Sequence, residues 1–456
     1  MKPVLIIVLL FFIKYSSAQS KTLTESEFIA IVKKYHPVVK LSDNNIRIAK
    51  WDIISAKGAF DPQWQSERFG KAFDGTKYYD QTSHEIKIPT WYGIDIYAGQ
   101  ETINGDRTNP QETKGSLTYY GISVSPIQNL VMDKRRAALL LAKNYFQLSA
   151  VEQQIAINDL LKEALETYWN WWEQFHIYEL MNKGLANAKK RLEFVKSASQ
   201  LGERPAIDTL EAFTQVQYFT IKVSEAFTEL FKTQIILSSF LWTDNLSTVT
   251  ISSDVIPENI STASPVILDD VLNNTTNHPE LMQYNYKLNG LNIERRLKFQ
   301  LLLPEVKFKY NQPGRSFSKL FNEAWFTNNY NYGISISMPL RLSEGRSEYA
   351  KTKLKIQNAQ VEQKNRLVQL QVNVKQHFNQ WQQLNAQVST QEQLVKNYFS
   401  LQQGEEIKFI NGESNLFLTN ARELKFIESE EKLIELRSKK QQAYVKLYWS
   451  AGLLTR

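Results

Sequence analysis

Two carboxylates stand where one long helical pattern stops and the next begins, and they are the best candidates for chemistry in the chain. Asp208 and Glu211 lie one helical turn apart, just after the interruption Gly202-Glu-Arg-Pro205. Acidic side chains in a first turn often do no more than interact with the helix dipole, which contributes under about 1 kcal/mol. If several copies of the chain met here, the same carboxylates would form a ring that favours cations. Both interpretations stay open.

Other chemistries lack the residues that they require. The chain has no cysteine, which excludes disulfides and thiolate metal sites, and its five histidines are scattered without a close pair. No Ser-His-Asp order, catalytic carboxylate pair or phosphate loop is recognisable, so we expect no enzymatic activity, no cofactor and no metal site. The formal charge of +7 is modest and spread out, which does not favour nucleic acid as a partner.

The acidic turn belongs to a pattern that occurs twice. Three motifs recur in the same order: His36-Pro37 as His278-Pro279, Tyr120–Ser125 as Tyr332–Ser337, and Gly202-Glu203 as Gly412-Glu413. A solenoid repeat is only 20 to 50 residues long, so this much larger spacing indicates duplication of a half-protein. The His-Pro pairs predict a kink between two helices, because the residue before proline avoids the α conformation.

Each half alternates strand and helix composition. The predicted segments are a signal peptide, 1–18; a first repeat, 19–242, with strands at about 60–125 and long helices at about 130–241; a polar linker, 243–265; and a second repeat, 266–456, with strands at about 304–339 and long helices at about 345–451. The signal peptide is predicted from Lys2, an apolar stretch and Ser16-Ser-Ala18. That stretch is too short for a membrane helix, and no later one approaches the required length, so membrane insertion would need a β-barrel.

The strands of the second repeat have one apolar and one polar face. The apolar positions, which alternate with lysine, glycine and serine, are Val306, Phe308, Tyr310, Ile334 and Ile336. A soluble sandwich also alternates, but four short strands cannot make a sandwich, and no strand-rich region outside the two repeats exists to supply the opposing sheet. We therefore favour a membrane barrel completed by several chains, with these five side chains facing lipid. The strand region of the first repeat is longer, and it predicts either a surface loop or an extra strand pair.

With this order of elements the chain resembles the TolC-like outer membrane efflux proteins, from about Lys21 to Leu454. The segment Leu201–Ala212 is similar to the family's Gly-x-x-x-x-x-Asp-x-Leu-x-Ala turn. Its counterpart, Phe409–Ala421, is one residue shorter, lacks the aspartate and has Asn420 where the first copy has Glu211. An acidic ring would therefore depend on one copy alone.

The resemblance implies an α+β membrane protein whose duplicated helix/β-hairpin halves form a homotrimer. Each chain would give four strands to a shared 12-stranded barrel in outer-membrane lipid, continued by a long α-helical periplasmic barrel. The implied function is the passive exit channel of a tripartite efflux or type I secretion system. Such a channel contacts a periplasmic adaptor protein and, through it, an inner-membrane pump.

The same resemblance suggests roles for the two turns. Gly202, Glu203, Gly412 and Glu413 would lie at the adaptor contact, and the tunnel entrance would include Asp208, Glu211 and Asn420. An alternative is a periplasmic coiled-coil scaffold or adaptor without a pore. An adaptor should have a compact β-barrel or lipoyl-like domain and one helical hairpin. This sequence instead has two long helices in each repeat, together with strands compatible with lipid.

Overall fold

The structure is a computed structural model that describes residues 22–109, 112–252, 254–260, 266–316 and 326–455. The predicted signal peptide lies outside these residues. The chain divides into two compact units: the first consists of Met1–Lys40, Ala156–Asn274 and Gln371–Arg456, and the second of Leu41–Ile155 and Thr275–Leu370. None of the helices in the described ranges is long and apolar enough to cross a membrane.

Long helices and antiparallel strands alternate in each half, as the sequence predicts. The α-helices of the described residues are α1 (Glu25–Tyr35), α2 (Pro37–Lys57), α3 (Lys134–Gln200), α4 (Ala206–Ser238), α5 (Leu268–Asn274), α6 (Pro279–Gln300), α7 (Ser343–Ile410) and α8 (Leu416–Ser450). The β-strands are β1 (Thr22–Leu23), β2 (Gln63–Phe73), β3 (Thr76–Pro89), β4 (Ile94–Asn104), β5 (Gly115–Val124), β6 (Ile256–Pro257), β7 (Glu305–Gly314) and β8 (Asn331–Ser337).

The repeated His-Pro pairs start α2 and α6. Proline suits the first helical position because the N–H that it lacks would have no partner there. His36 and His278 share one backbone conformation, with φ −63° and ψ 136°. Each ring Nδ1 accepts a hydrogen bond from the backbone N–H two residues later, at 3.3 Å from Val38 and 3.2 Å from Glu280. The histidines are thus helix caps as well as kinks.

The second unit contains an antiparallel sheet with the strand order β2-β3-β4-β5-β7-β8. Asp74 and Gly75 join β2 to β3 in a two-residue turn, with φ of 48° and 73°, as in the favoured short hairpin loops. The described residues place six strands in this sheet, whereas the resemblance implies four strands per chain in a shared barrel. The number of strands that each chain gives to a barrel stays a prediction. The longer strand region of the first repeat forms two hairpins, so it is an extra strand pair and not a surface loop.

The first unit has an aromatic core that holds the linker between the repeats. Tyr168, Trp171 and Phe28 are fully buried there. The Tyr168 hydroxyl donates to the carbonyl of Leu23 at 2.8 Å, and the Trp172 indole donates to the carbonyl of Glu258 at 3.0 Å. β1 and β6 pair in parallel beside them. Hydrogen bonds from the aromatic residues therefore fix both the start of the described chain and the linker.

A carboxyl beside this core makes stability depend on pH. The pKa of Glu25 is raised from 4.5 to about 7, first by burial and then by the charge of Glu258. The folded chain holds this proton more tightly than the unfolded chain does. Its contribution to stability is therefore complete below pH 4.5 and is lost as the pH rises through about 7.

We expect Glu25→Gln to raise the thermal unfolding temperature at pH 8 but not at pH 4.5, because the amide cannot ionise. The free energy gained is at most about 3 kcal/mol. Unfolding is followed by helical circular dichroism across this pH range, with Glu163→Gln, an exposed position on α3, as the matched control. Identical pH profiles for Glu25→Gln and the unmodified protein would contradict the assignment.

Candidate functional site: helix turns and sheet faces

The turn after α3 and the turn after α7 have the same backbone structure. Gly202 and Gly412 both have φ of 78°, the left-handed conformation in which glycine is favoured. The N–H of Glu203 donates to the carbonyl of Ala198 at 3.0 Å, and that of Glu413 donates to Lys408 at 2.8 Å. These bonds identify a Schellman motif at each helix end. The four adaptor-contact candidates therefore form two equivalent exposed turns.

The two turns lie side by side in the first unit. The Arg204 guanidinium lies 3.8 Å from the centroid of the Phe409 ring and donates to the Phe409 carbonyl at 2.9 Å. It also forms an ion pair with Asp208 at 3.6 Å. Beneath these contacts, a small apolar cluster joins both helix pairs; it contains Leu192, Val195, Ala212, Phe409 and Leu416. These contacts join the turn after α3 to the C-terminal end of α7.

The entrance candidates Glu211 and Asn420 are in direct contact. The Asn420 amide donates to Glu211 at 3.2 Å, and its oxygen accepts from Arg191 at 3.0 Å. Arg191 also forms an ion pair with Glu423, whose side chain is 1% exposed. Asn420 itself is buried, so the amide links the two helix pairs and does not face open solvent.

The partners of these carboxylates bear on the expectation that Asp208 and Glu211 form an acidic ring. Asp208 is balanced by Arg204, and the buried Glu423 is balanced by Arg191. Of the carboxylates in this network, Glu211 is the one held by an amide, so a carboxylate ring in an assembly would rest mainly on Glu211. Sequence reasoning missed Arg191 and Glu423 because each lies inside a long helix with no local motif.

The register of the sheet places the five lipid-facing candidates on one face. Val306 pairs with Ile336, Phe308 with Ile334, and Tyr310 with Tyr332. Ile334 and Ile336 are 61% and 72% exposed. Tyr310 differs, because it is buried against Phe326, with ring centroids 4.3 Å apart. Contact with lipid stays a prediction for the other four residues, and the cover over Tyr310 argues against it there.

The opposite face of the sheet is polar. In β7 and β8 it presents Glu305, Lys307, Lys309, Ser335 and Ser337. In the first repeat the Tyr119 hydroxyl donates to Glu85 at 2.9 Å, and the Tyr97 hydroxyl donates to the backbone carbonyl of Tyr310 at 3.1 Å. The sheet therefore has one apolar and one polar face.

Alanine at Gly202 should loosen the first turn without a steric clash. A Cβ at this position meets nothing within 4 Å, so the cost is the left-handed conformation alone, about 1 kcal/mol. We expect the amide of Glu203 to exchange with deuterium about five times faster or more. Gly404→Ala is the matched control, because Gly404 lies inside α7 in open space and alanine favours a helix. Equal exchange rates in the two variants would contradict this account.

The buried ion pair of Arg191 with Glu423 should contribute more to the free energy of unfolding than an exposed ion pair does. Arg191→Met leaves the Glu423 carboxylate buried and unpaired, so we expect a loss of about 3 to 5 kcal/mol in unfolding free energy. Arg437→Met removes an exposed pair with Glu392 and should cost less than about 1 kcal/mol. The measurement is denaturant unfolding followed by circular dichroism. The double change Arg191→Met with Glu423→Gln should recover much of the loss, and a failure to recover would show that packing dominates.

Comparison with known proteins identifies what this architecture is similar to. Residues 274–453 match the sequence model of a family described as outer membrane efflux protein. No curated protein gives a significant match. Among solved structures, the chain is similar to CusC, studied for its folding and transmembrane channel formation, with 14% identity and a TM-score of 0.65 over 94% of this chain and 91% of that one.

Two further channels have the same fold. The CmeC outer membrane channel of Campylobacter jejuni matches with 12% identity and a TM-score of 0.65, covering 94% of this chain and 85% of that one. The outer membrane protein VceC of Vibrio cholerae matches with 11% identity and a TM-score of 0.65, covering 94% and 96%. The family match, together with this shared fold, confirms the resemblance seen in the sequence. Residues 274–453 thus match the outer membrane efflux protein family, and the fold of nearly the whole chain is that of these solved structures.

Proposed function

We propose that the protein is the outer-membrane exit channel of an efflux or secretion assembly. The match of residues 274–453 to the outer membrane efflux protein family supports a transport role in the outer membrane. The observation that best supports a channel is the two-faced sheet, with isoleucine, valine and phenylalanine on one side and charged or small residues on the other. Substrates would move passively through it after delivery by an inner-membrane pump and a periplasmic adaptor.

A homotrimer is the assembly that we propose. Among the described residues, β2 and β8 each pair with a strand on one side only. Both strands are exposed along their whole length. Open strand edges cannot face lipid, because their backbone N–H and C=O groups would have no partner there. Other copies of the chain would close these edges.

Helices in both units have apolar positions for contacts between copies. In the second unit, Leu354, Val361 and Val368 of α7 recur every seven residues and are 59%, 67% and 56% exposed. In the first unit, Ile221 and Phe231 of α4 are 60% and 54% exposed. A seven-residue apolar repeat is typical of helices that pack against other helices. The repeat on α7, together with the exposed residues of α4, therefore supports contacts between helices of different copies.

The turns after α3 and α7 would form the periplasmic entrance and the adaptor contact. Apolar side chains surround them: Leu201 is 75% exposed, Ile410 is 65% exposed and Phe417 is 71% exposed. Exposed apolar groups next to charged turns are typical of a protein interface. We expect cysteines at Glu203 or Glu413 to crosslink to an adaptor in cells. A cysteine at Gln393, exposed on α7, is the control, and crosslinks at Gln393 alone would move the contact away from the turns.

Two neighbouring residues of β8 test the membrane role of the sheet. Ile334→Arg would place a charge on the apolar face, and we expect a loss of about 2 to 4 kcal/mol near the membrane centre. Ser335→Arg changes the next residue, on the polar face, and should assemble normally. The measurement is the amount of folded assembly in isolated outer membranes. Equal yields of the two variants would contradict a membrane wall in which the apolar face meets lipid.

A further inference from the structure

We propose that the membrane wall of the assembled channel contains eighteen strands, three copies of the six-stranded sheet, and not the 12 that the resemblance implies. In this wall, β2 of one copy pairs with β8 of the next. The inference rests on the trimeric channel proposed above. Its basis is the additional strand pair of the first repeat, which gives this sheet six strands where the resemblance implies four.

The strands of the first repeat are long enough to belong to the wall. A strand needs about 9 to 11 residues to cross a membrane. β2 has 11 residues, β3 has 14, β4 has 11 and β5 has 10. β2 and β3 stay paired from Gln63 with Lys87 to Phe73 with Thr76, with one irregularity between Lys71 and Ala72. This hairpin is therefore as long as the strands beside it.

The apolar face continues without a break onto β3 and β2. One row across the strands contains Trp64, Ile86, Ala98 and Tyr120, and the neighbouring row contains Ile88, Ile96, Ile122 and Tyr310. Trp64, Ile86 and Ile88 are 69%, 50% and 42% exposed in the single chain. A hairpin in water outside the wall would leave this apolar surface hydrated, whereas lipid would cover it.

The far end of the same hairpin is charged. Lys77, next to the turn at Asp74 and Gly75, pairs with Asp80 at 2.8 Å, and Arg68, the middle residue of β2, pairs with the same carboxylate at 3.0 Å. The hairpin thus changes from apolar rows near Trp64 to an ion-pair cluster that begins at the middle of β2 and extends toward the turn. Strands that leave lipid and end in water should show this order.

The pairing within one chain leaves β2 as the available edge. β4 is already paired with β3 from Pro89 to Asp80 and with β5 on its other side. A wall built from β4, β5, β7 and β8 alone would require β3 to separate from β4 and lose that ladder. In a six-stranded antiparallel sheet the first and last strands run in opposite directions, so β2 and β8 of neighbouring copies would also meet antiparallel.

A wider wall has a consequence for transport. Barrel diameter grows roughly linearly with strand number, so this wall would be about 1.5 times as wide as one of 12 strands. The class of solute admitted at the membrane would then include bulkier molecules.

Cysteine crosslinking distinguishes the two walls, and the natural chain has no cysteine to interfere. The β2 set carries cysteine at Trp64 or Ser66, each combined with cysteine at Tyr332, Ile334 or Ile336 of β8. The matched β4 set carries cysteine at Ala98 or Gln100, which occupy the same rows of the sheet, with the same β8 positions. Each variant is oxidised in outer membranes and separated under non-reducing conditions. Native mass measurement of each variant in detergent reports whether the trimer is intact.

We expect covalent dimers and trimers from the β2 set and monomers from the β4 set. Crosslinks from the β4 set, or from neither set in an intact trimer, would overturn the eighteen-strand wall while leaving the trimeric channel in place. A chain that is monomeric by native mass before any cysteine is introduced would overturn the proposed channel itself, and this inference with it.

Discussion

A sheet in lipid must leave no backbone N–H or C=O group unpaired, and the rest of this structure depends on that constraint. Within the described sheet, the four inner strands are paired on both sides, while β2 and β8 keep one open edge each. The strands follow one another in chain order, which puts the two open edges at opposite sides of the sheet. The proposed association with other copies would pair both edges, and the exposed apolar residues on α4 and α7 are consistent with it.

The two long-helix turns show how a duplicated backbone acquires different side-chain roles. Gly202 and Gly412 keep the same conformation and the same hydrogen bonds. Their neighbours are not equivalent: Arg204 of the first turn packs on Phe409 of the second helix pair, and Glu211 binds Asn420. The buried pair of Arg191 with Glu423 adds a connection that is costly to break. The turns are thus joined into one unit, and their charges are largely balanced within the chain.

The sequence predicts the repeated order of helices and hairpins, because proline, glycine and the alternation of apolar residues are local signals. It leaves open whether the first repeat has a surface loop or an extra strand pair, since β2 reads Gln-Trp-Gln-Ser-Glu-Arg and lacks a clear apolar alternation. Alternation places Tyr310 on the apolar face but cannot reveal its cover by Phe326. Arg191 has no local signal either, because its partner Glu423 lies on a helix of the other repeat.

The most direct test of the central claim is the native mass of the protein extracted from outer membranes in mild detergent. The account predicts a single species with the mass of three chains, and loss of folded sheet whenever that species is dissociated. A folded, stable species with the mass of one chain would contradict it, because the open edges of β2 and β8 would then have been satisfied without another copy.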